Sequence, residues 1–333
     1  MNHTCNAQCL ANAIDIGNRI ENTLSKSRVI IQKKRRFSFF RNRHSADARI
    51  YETEGDARGI AHKLRIQLES IRDGLISVLD KDARNSLPVI PVRTAFTRDC
   101  NAFALSTPRG HPVIVIDFAF ILGLLNVLTC YFHTFPAVGR FVSAHHVDKE
   151  SLFLNKKFRL LVQSIQHSRD QLWNSKISAK RLLMKESWIY NFGSGELYRK
   201  ILFFMLAHEL SHFVLGHMDD QAVSPLHYID MPLDYYRQSQ AQEQEADIAA
   251  IQIYRSYVET LPKFPMITDI APLILMVYLR IFESSAMDKQ LRTHPHPDDR
   301  LHYLTGKLQP QDDRSRFLLI NFTQLLTIAQ EAL

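Results

Sequence analysis

The chain has 333 residues, of which 46% are hydrophobic, and a formal net charge of +7. This length and composition exclude a disordered polypeptide and allow one large domain or two small ones. Four cysteines in so long a chain exclude a disulfide scaffold. They fit a reducing compartment, and no signal-peptide pattern is evident, so a cytoplasmic location is expected.

Residues 1–50 are poorly patterned and hold a run of positive charge. The basic residues of this run are Lys33, Lys34, Arg35, Arg36, Arg41 and Arg43. A solvated, partly disordered segment is the simpler interpretation. Because Phe37, Phe39 and Phe40 interleave with these charges, a nucleic-acid-associated regulator stays as an alternative, although nucleic-acid binding is not expected.

Apolar positions between Asp56 and Leu79 recur every three or four residues and predict an amphipathic helix. Short segments rich in Val, Ile and Phe follow, bracketed by prolines, and predict a small sheet. Residues 113–132 are long and apolar enough to cross a bilayer. Because polar residues interrupt them, a buried strand at Val113–Ile116 and a core helix at Phe118–Tyr131 are the better interpretation. No stable membrane insertion is expected.

The second half of the chain is predicted to be mostly helical, which gives a mostly helical α+β fold with a small mixed sheet. An amphipathic helix is expected over Lys149–Trp173. The apolar run Ile201–Leu206 predicts a helix buried nearly all round, beginning at Ser194 and ending at Gly216. After it we expect a loop over Asp219–Tyr236. Four helices should follow the loop, at Gln238–Tyr257, Thr268–Met287, Leu301–Lys307 and Arg316–Ala329.

The segment His208-Glu209-Leu210-Ser211-His212 lies inside this buried helix. Residues four apart on a helix share one face, so the two imidazoles can bind one divalent ion. Glu209 would project beside them toward a water on that ion and act as a general base. The pattern is typical of zinc peptidases, with one zinc ion as the cofactor and a protein or peptide as the substrate.

An acidic segment further along supplies candidates for a third protein ligand. Glu243 and Glu245 both lie in a stretch that predicts a helix. Only Glu243 is followed one turn later by an aspartate, and Asp247 could accept the second ring N–H of a liganding histidine. We therefore expect Glu243 to be the ligand. For His217, just past the two histidines, a capping or packing role is preferred over metal binding.

These residues resemble the gluzincin metallopeptidases, in which His-Glu-x-x-His is followed by Glu-x-x-x-Asp. Further segments resemble the group that contains the CAAX prenyl proteases and the HtpX-type heat-shock proteases. Asn101-Ala102-Phe103-Ala104 looks like the "NAFA" segment of that group, and Val113-Ile114-Val115-Ile116 looks like the strand after it. Thr293-His294-Pro295 with Arg300 looks like its late His-Pro element.

The resemblance implies a zincin-like peptidase domain over residues 51–333, with a helical insertion at about 133–193. It implies that His294 and Arg300 assist substrate carbonyl and oxyanion binding, whereas a plain loop histidine is the alternative for His294. It also implies that an extended substrate pairs with the sheet at the strand Val113–Ile116, for which ordinary core is the alternative.

The chain differs from the membrane-embedded members of that group. The interval between the NAFA segment and the histidines is long, and the multiple hydrophobic spans are missing. These differences indicate a soluble relative, similar to the Lit-type phage-exclusion peptidases. We therefore expect a soluble zinc endopeptidase with a role in bacterial stress or phage defence. A non-catalytic metal-binding scaffold is the other alternative, and Glu209, which has no structural duty at a closed site, argues against it.

Overall fold

A computed structural model of the chain describes residues 54–95, 102–106, 111–138, 148–174, 188–218, 223–225, 234–236, 239–261, 269–283, 296–308, 310 and 312–333. Three sequence predictions concern residues outside these ranges. They are the basic N-terminal segment over residues 1–50, the NAFA residue Asn101, and the histidine His294 of the His-Pro element.

The described strands form one mixed sheet beside a larger set of helices. The strands are β1 (Val92–Ala95), β2 (Ala102–Ser106), β3 (Pro112–Asp117), β4 (Val223–Pro225) and β5 (Asp234–Tyr236). Their order in the sheet is β1, β3, β2, β5, β4. Strands β1 and β3 are parallel, and the other neighbours are antiparallel. The predicted mostly helical α+β fold with a small mixed sheet is confirmed.

Strand β3 lies in the interior of this sheet, which corrects one prediction. Ile114 is paired with Val92 of β1 on one side and with Ala104 of β2 on the other. Because both edges of β3 are occupied, an extended substrate has no free edge to pair with there. The predicted substrate strand is therefore wrong for Val113, Ile114, Val115 and Ile116, which are core residues at most 1% exposed.

The helices account for most of the described chain. They are α1 (Glu54–Ser77), α2 (Lys81–Ser86), α3 (Phe118–Val138), α4 (Lys149–Leu154), α5 (Lys156–Asn174), α6 (Trp188–Val214), α7 (Gln240–Glu259), α8 (Ala271–Glu283), α9 (Pro297–Leu308) and α10 (Asp313–Glu331). The end of α3, helices α4 and α5 and the start of α6 lie within the range predicted as a helical insertion.

Helix α3 follows β3 directly and is strongly apolar. Asp117 ends the strand and caps the helix, because its carboxylate accepts a hydrogen bond from the backbone N–H of Phe120 at 2.8 Å. By length and composition α3 could cross a membrane, but 72% of its most apolar 18-residue stretch is buried inside the protein. Gly123 lets α3 approach its neighbours, since a Cβ there would lie 2.7 Å from the Tyr278 hydroxyl oxygen and 3.1 Å from the Ser168 Cβ.

Helix α6 is the central helix, packed against α1, α3, α7, α8 and β2. Residues Ile201 to Ala207 are all buried, as the apolar run predicted. Each buried Leu, Ile or Phe side chain contributes about 1.5–3 kcal/mol relative to an exposed one. This packing holds in place the segment of α6 that carries His208 and His212.

Several predicted elements differ from the structure in their bounds or their type. Helix α6 begins at Trp188, so Ser194 is not its cap but lies inside it, 2% exposed, because tertiary packing overrides the local Gly-Ser-Gly preference. The predicted helix Lys149–Trp173 is broken at Asn155, whose side chain accepts from the Lys157 backbone N–H at 2.9 Å and so competes with the helical pattern. The predicted loop after α6 contains β4 and β5, which are too short to show an alternating pattern.

Candidate metal centre

Helix α6 places two histidines on one buried face. His208 and His212 are 3% and 1% exposed, and their Nε2 atoms lie 3.3 Å apart. Glu209, the next residue after His208, is 2% exposed. Burial of three titratable side chains within five residues is costly unless their polar atoms share partners or an ion.

Helix α7 brings a carboxylate to the same point. Ser239 starts α7 with a capping box in which Gln242 is the reciprocal partner, and Glu243 therefore lies in the first turn. Its Oε2 lies 3.2 Å from the His208 Nε2, and its Oε1 lies 3.7 Å from the His212 Nε2. Ala246 of α7 is fully buried, and its small side chain allows α6 and α7 to approach closely.

The three side chains fit the donor set of one metal ion. Donor atoms about 2.1 Å from a tetrahedral ion lie about 3.4 Å from one another. The observed separations of 3.3, 3.2 and 3.7 Å are close to that value. His208, His212 and Glu243 are therefore a buried group that could hold a metal ion, as the sequence predicted. Glu245, the alternative ligand, does not join them: its carboxylate reaches His217 instead.

The other ring nitrogen of His208 is held by Asp247. The His208 Nδ1 lies 2.9 Å from the Asp247 Oδ1, and Asp247 is fully buried. Arg300, which is 6% exposed at the start of α9, donates to both oxygens of Asp247, from Nη2 at 2.6 Å and from Nε at 3.0 Å. The same Nη2 lies 3.3 Å from the His208 Nδ1, so the guanidinium and the Asp247 carboxylate lie together at this nitrogen of the ring. The oxyanion role of Arg300 stays a prediction.

The charges of this network determine its protonation. Burial and the nearby Arg300 lower the pKa of His208, but Asp247 and Glu243 outweigh them and raise it to about 9. Burial raises the pKa of Asp247, but Arg300 and His208 outweigh it and lower the value to about 2. In the metal-free protein, His208 is therefore a positively charged imidazolium at neutral pH, with a carboxylate facing each of its two ring nitrogens.

Charge balance also favours a divalent cation. Glu209, Glu243 and Asp247 are buried carboxylates, and the charge of each raises the pKa of Arg300. With both histidines neutral, as metal ligands must be, three ionised carboxylates against the charge of Arg300 leave two negative charges, which a divalent cation would balance. Because buried charge is stable only when it is compensated, the residues present fit a divalent metal ion.

One part of the site was not predicted from the sequence. The His217 Nδ1 lies 3.0 Å from the His212 Nδ1, and the His217 Nε2 lies 3.2 Å from the Glu245 Oε2. His217 is 5% exposed. The available signal was Gly216, because a glycine after a helix allows the next residue to fold back on the last turn.

The comparisons with known proteins agree with a peptidase. The family model described as Peptidase U49 matches residues 146–321, which is more than half of the chain. This range contains every residue of the metal centre but leaves out strands β1, β2 and β3. Searches of curated proteins and of solved structures found no match. The chain belongs to the Peptidase U49 family, and is therefore a peptidase whose substrate is a protein or a peptide.

Proposed function

We propose that this peptidase is a zinc-dependent endopeptidase of the gluzincin type. The observation that carries the proposal is the buried group of His208, His212 and Glu243, with Glu209 adjacent on the same helix. Two imidazole nitrogens and one carboxylate are a typical donor set of catalytic zinc sites, which keep one position open. The resemblance to the CAAX prenyl protease and HtpX-type group supports the same chemistry.

The residues of the chain divide the chemical work. When bound, the zinc ion would act as a Lewis acid toward the scissile carbonyl and would lower the pKa of water. Glu209 would accept a proton from the attacking water at its carboxylate and later deliver it to the amine that leaves. In the metal-bound protein Asp247 would accept the Nδ1 proton of His208, which keeps the Nε2 of that ring, the nitrogen next to Glu243, available to the ion.

Two residues of the late His-Pro element have separate roles in the proposal. We assign oxyanion binding to His294 on the resemblance alone. Arg300 donates hydrogen bonds from two nitrogens to the Asp247 carboxylate. We therefore propose that its main role is to hold this carboxylate in position. This assignment explains why an arginine, with its planar pair of donors, is used at this position.

Metal analysis of the purified protein tests the zinc proposal. We expect about one equivalent of zinc per chain in the wild type, removable by a strong chelator together with peptidase activity. Glu243→Gln keeps the size of the side chain but replaces an anionic ligand by a neutral amide, so it should retain less than about a tenth of the metal. Glu259→Gln, an exposed change at the far end of α7, is the matched control. Wild-type protein that retains no transition metal would contradict the proposal.

We extend the proposal to phage exclusion in the bacterial cytoplasm. Its support is the similarity to the Lit-type peptidases, with which membership of the Peptidase U49 family agrees. Bacteria that produce the wild-type chain should form fewer plaques with at least one phage than bacteria that produce Glu209→Gln. Equal plaque counts across a broad phage panel would remove this part of the proposal and leave the peptidase chemistry untouched.

A further inference from the structure

His217 is brought back onto the metal centre by the way α6 ends. Gly216 adopts a φ of 69°, the left-handed region that glycine enters without strain. The backbone N–H of Gly216 then donates to the Phe213 carbonyl at 3.3 Å, and that of His217 donates to the His212 carbonyl at 2.9 Å. This pair of bonds is a Schellman motif. It turns the chain so that the His217 ring faces the ring of His212.

The contacts of His217 allow one arrangement of protons when a metal is bound. The Nε2 of His212 faces His208 and Glu243, so this nitrogen is the ligand atom and the ring proton is on Nδ1. The His212 Nδ1–H then donates to the His217 Nδ1 at 3.0 Å, which requires a lone pair on that nitrogen. His217 consequently carries its own proton on Nε2, which donates to the Glu245 Oε2 at 3.2 Å.

His217 is not placed to bind the same ion itself. Its nearest nitrogen faces the Nδ1 of His212, whereas the ion would lie at the Nε2 on the other side of that ring. The position of His217 relative to His212 corresponds to that of Asp247 relative to His208. Each of the two histidines therefore has a hydrogen-bond acceptor behind it.

We propose that His217 is a positioning residue that fixes the tautomer and orientation of His212 for metal binding, with Glu245 holding the proton of His217. The proposal rests on the proposed function, because it needs the ion at His212. Partners of this kind orient metal-bound histidines and make them better ligands. The two carboxylates in these hydrogen-bond chains differ in exposure. Asp247, which contacts His208, is fully buried, whereas the side chain of Glu245, which contacts His217, is 63% exposed.

Metal affinity of the full chain, measured with Co²⁺ and Zn²⁺ by competition with a chelating dye, tests this role. His217→Leu keeps apolar bulk but removes the acceptor, and should weaken binding by about 10–100-fold. His217→Asn places an amide oxygen near the position of Nδ1 and should restore affinity to within about fivefold of wild type. Glu245→Gln should cost less than about fivefold because its carboxylate is mostly in water. Glu259→Gln should change nothing.

The order of the two His217 variants separates positioning from packing. Packing alone predicts that His217→Leu retains more metal affinity than His217→Asn, whereas positioning predicts the reverse. The absorption bands of bound Co²⁺ should shift in His217→Leu and return in His217→Asn, because they report the geometry of the ligands. Thermal unfolding of the metal-free variants shows whether either change disturbs the fold.

Two negative results have different meanings. If the wild type binds Co²⁺ and Zn²⁺ and His217→Leu binds them equally well, or if His217→Asn binds no better than His217→Leu, the positioning role is wrong and the proposed function stands. If the wild type binds neither ion, the proposed function fails, and the role of His217 fails with it.

Discussion

Replacing Glu209 by glutamine should reduce peptidase activity by at least about a hundredfold while leaving metal content unchanged. General acid–base catalysis by a positioned side chain contributes about 10²–10⁴-fold to a reaction rate. Glutamine has nearly the same shape as glutamate but cannot take up the proton of the attacking water. Because Glu209 is not one of the three clustered donors, the ion should stay bound.

Mass spectrometry of protein termini can measure this loss even though the substrate is unidentified. New termini should appear in bacterial cells that produce the wild type, disappear with Glu209→Gln, and persist with the control Glu259→Gln. Metal analysis of the same purified variants excludes loss of the ion as the cause. Termini that persist at wild-type levels in Glu209→Gln would show that another group carries the proton, and would overturn the assignment of Glu209.

The sequence was sufficient to predict which site residues share one face of a helix, one turn apart. His208 and His212, like Glu243 and Asp247, are four residues apart on single helices, so helical geometry alone puts each pair on one face. The expectation that Glu243 is a ligand required α6 and α7 to lie against each other, and the 3.2 Å contact between His208 and Glu243 agrees with it. The choice of Glu243 over Glu245 followed from the position of Asp247.

Features that depend on packing between distant segments were not predictable in the same way. The sheet order makes β3 an interior strand because residues of two other segments, β1 and β2, pair with both of its edges. The contact of Arg300 with Asp247 joins residues 53 positions apart, and no periodic pattern connects them. His217 was judged by its place after the helix, and its contact with His212 depends on the backbone turn at Gly216.

The ion pair of Asp247 and Arg300 should be important for the stability of the metal-free protein. Both side chains are nearly or fully buried, and Arg300 binds Asp247 through two nitrogens. Asp247→Ala would leave the guanidinium buried without its closest counter-charge. Removing one partner of a buried pair costs about 3–5 kcal/mol, so we expect a loss of that size in the free energy of unfolding. Denaturant titrations in the presence of a chelator would measure it.

A double-variant cycle separates the pair from its surroundings. Arg300→Met alone leaves a buried carboxylate and should also destabilise, but the combination with Asp247→Ala removes both charges and should cost less than the sum of the single changes. Asp247→Asn, which keeps the size of the side chain, should lie between wild type and Asp247→Ala. Single losses below about 1 kcal/mol with additive combination would mean that water screens the pair, as at a surface. The burial of Asp247 behind His208 would then be contradicted, and with it the geometric basis for the orientation of that histidine.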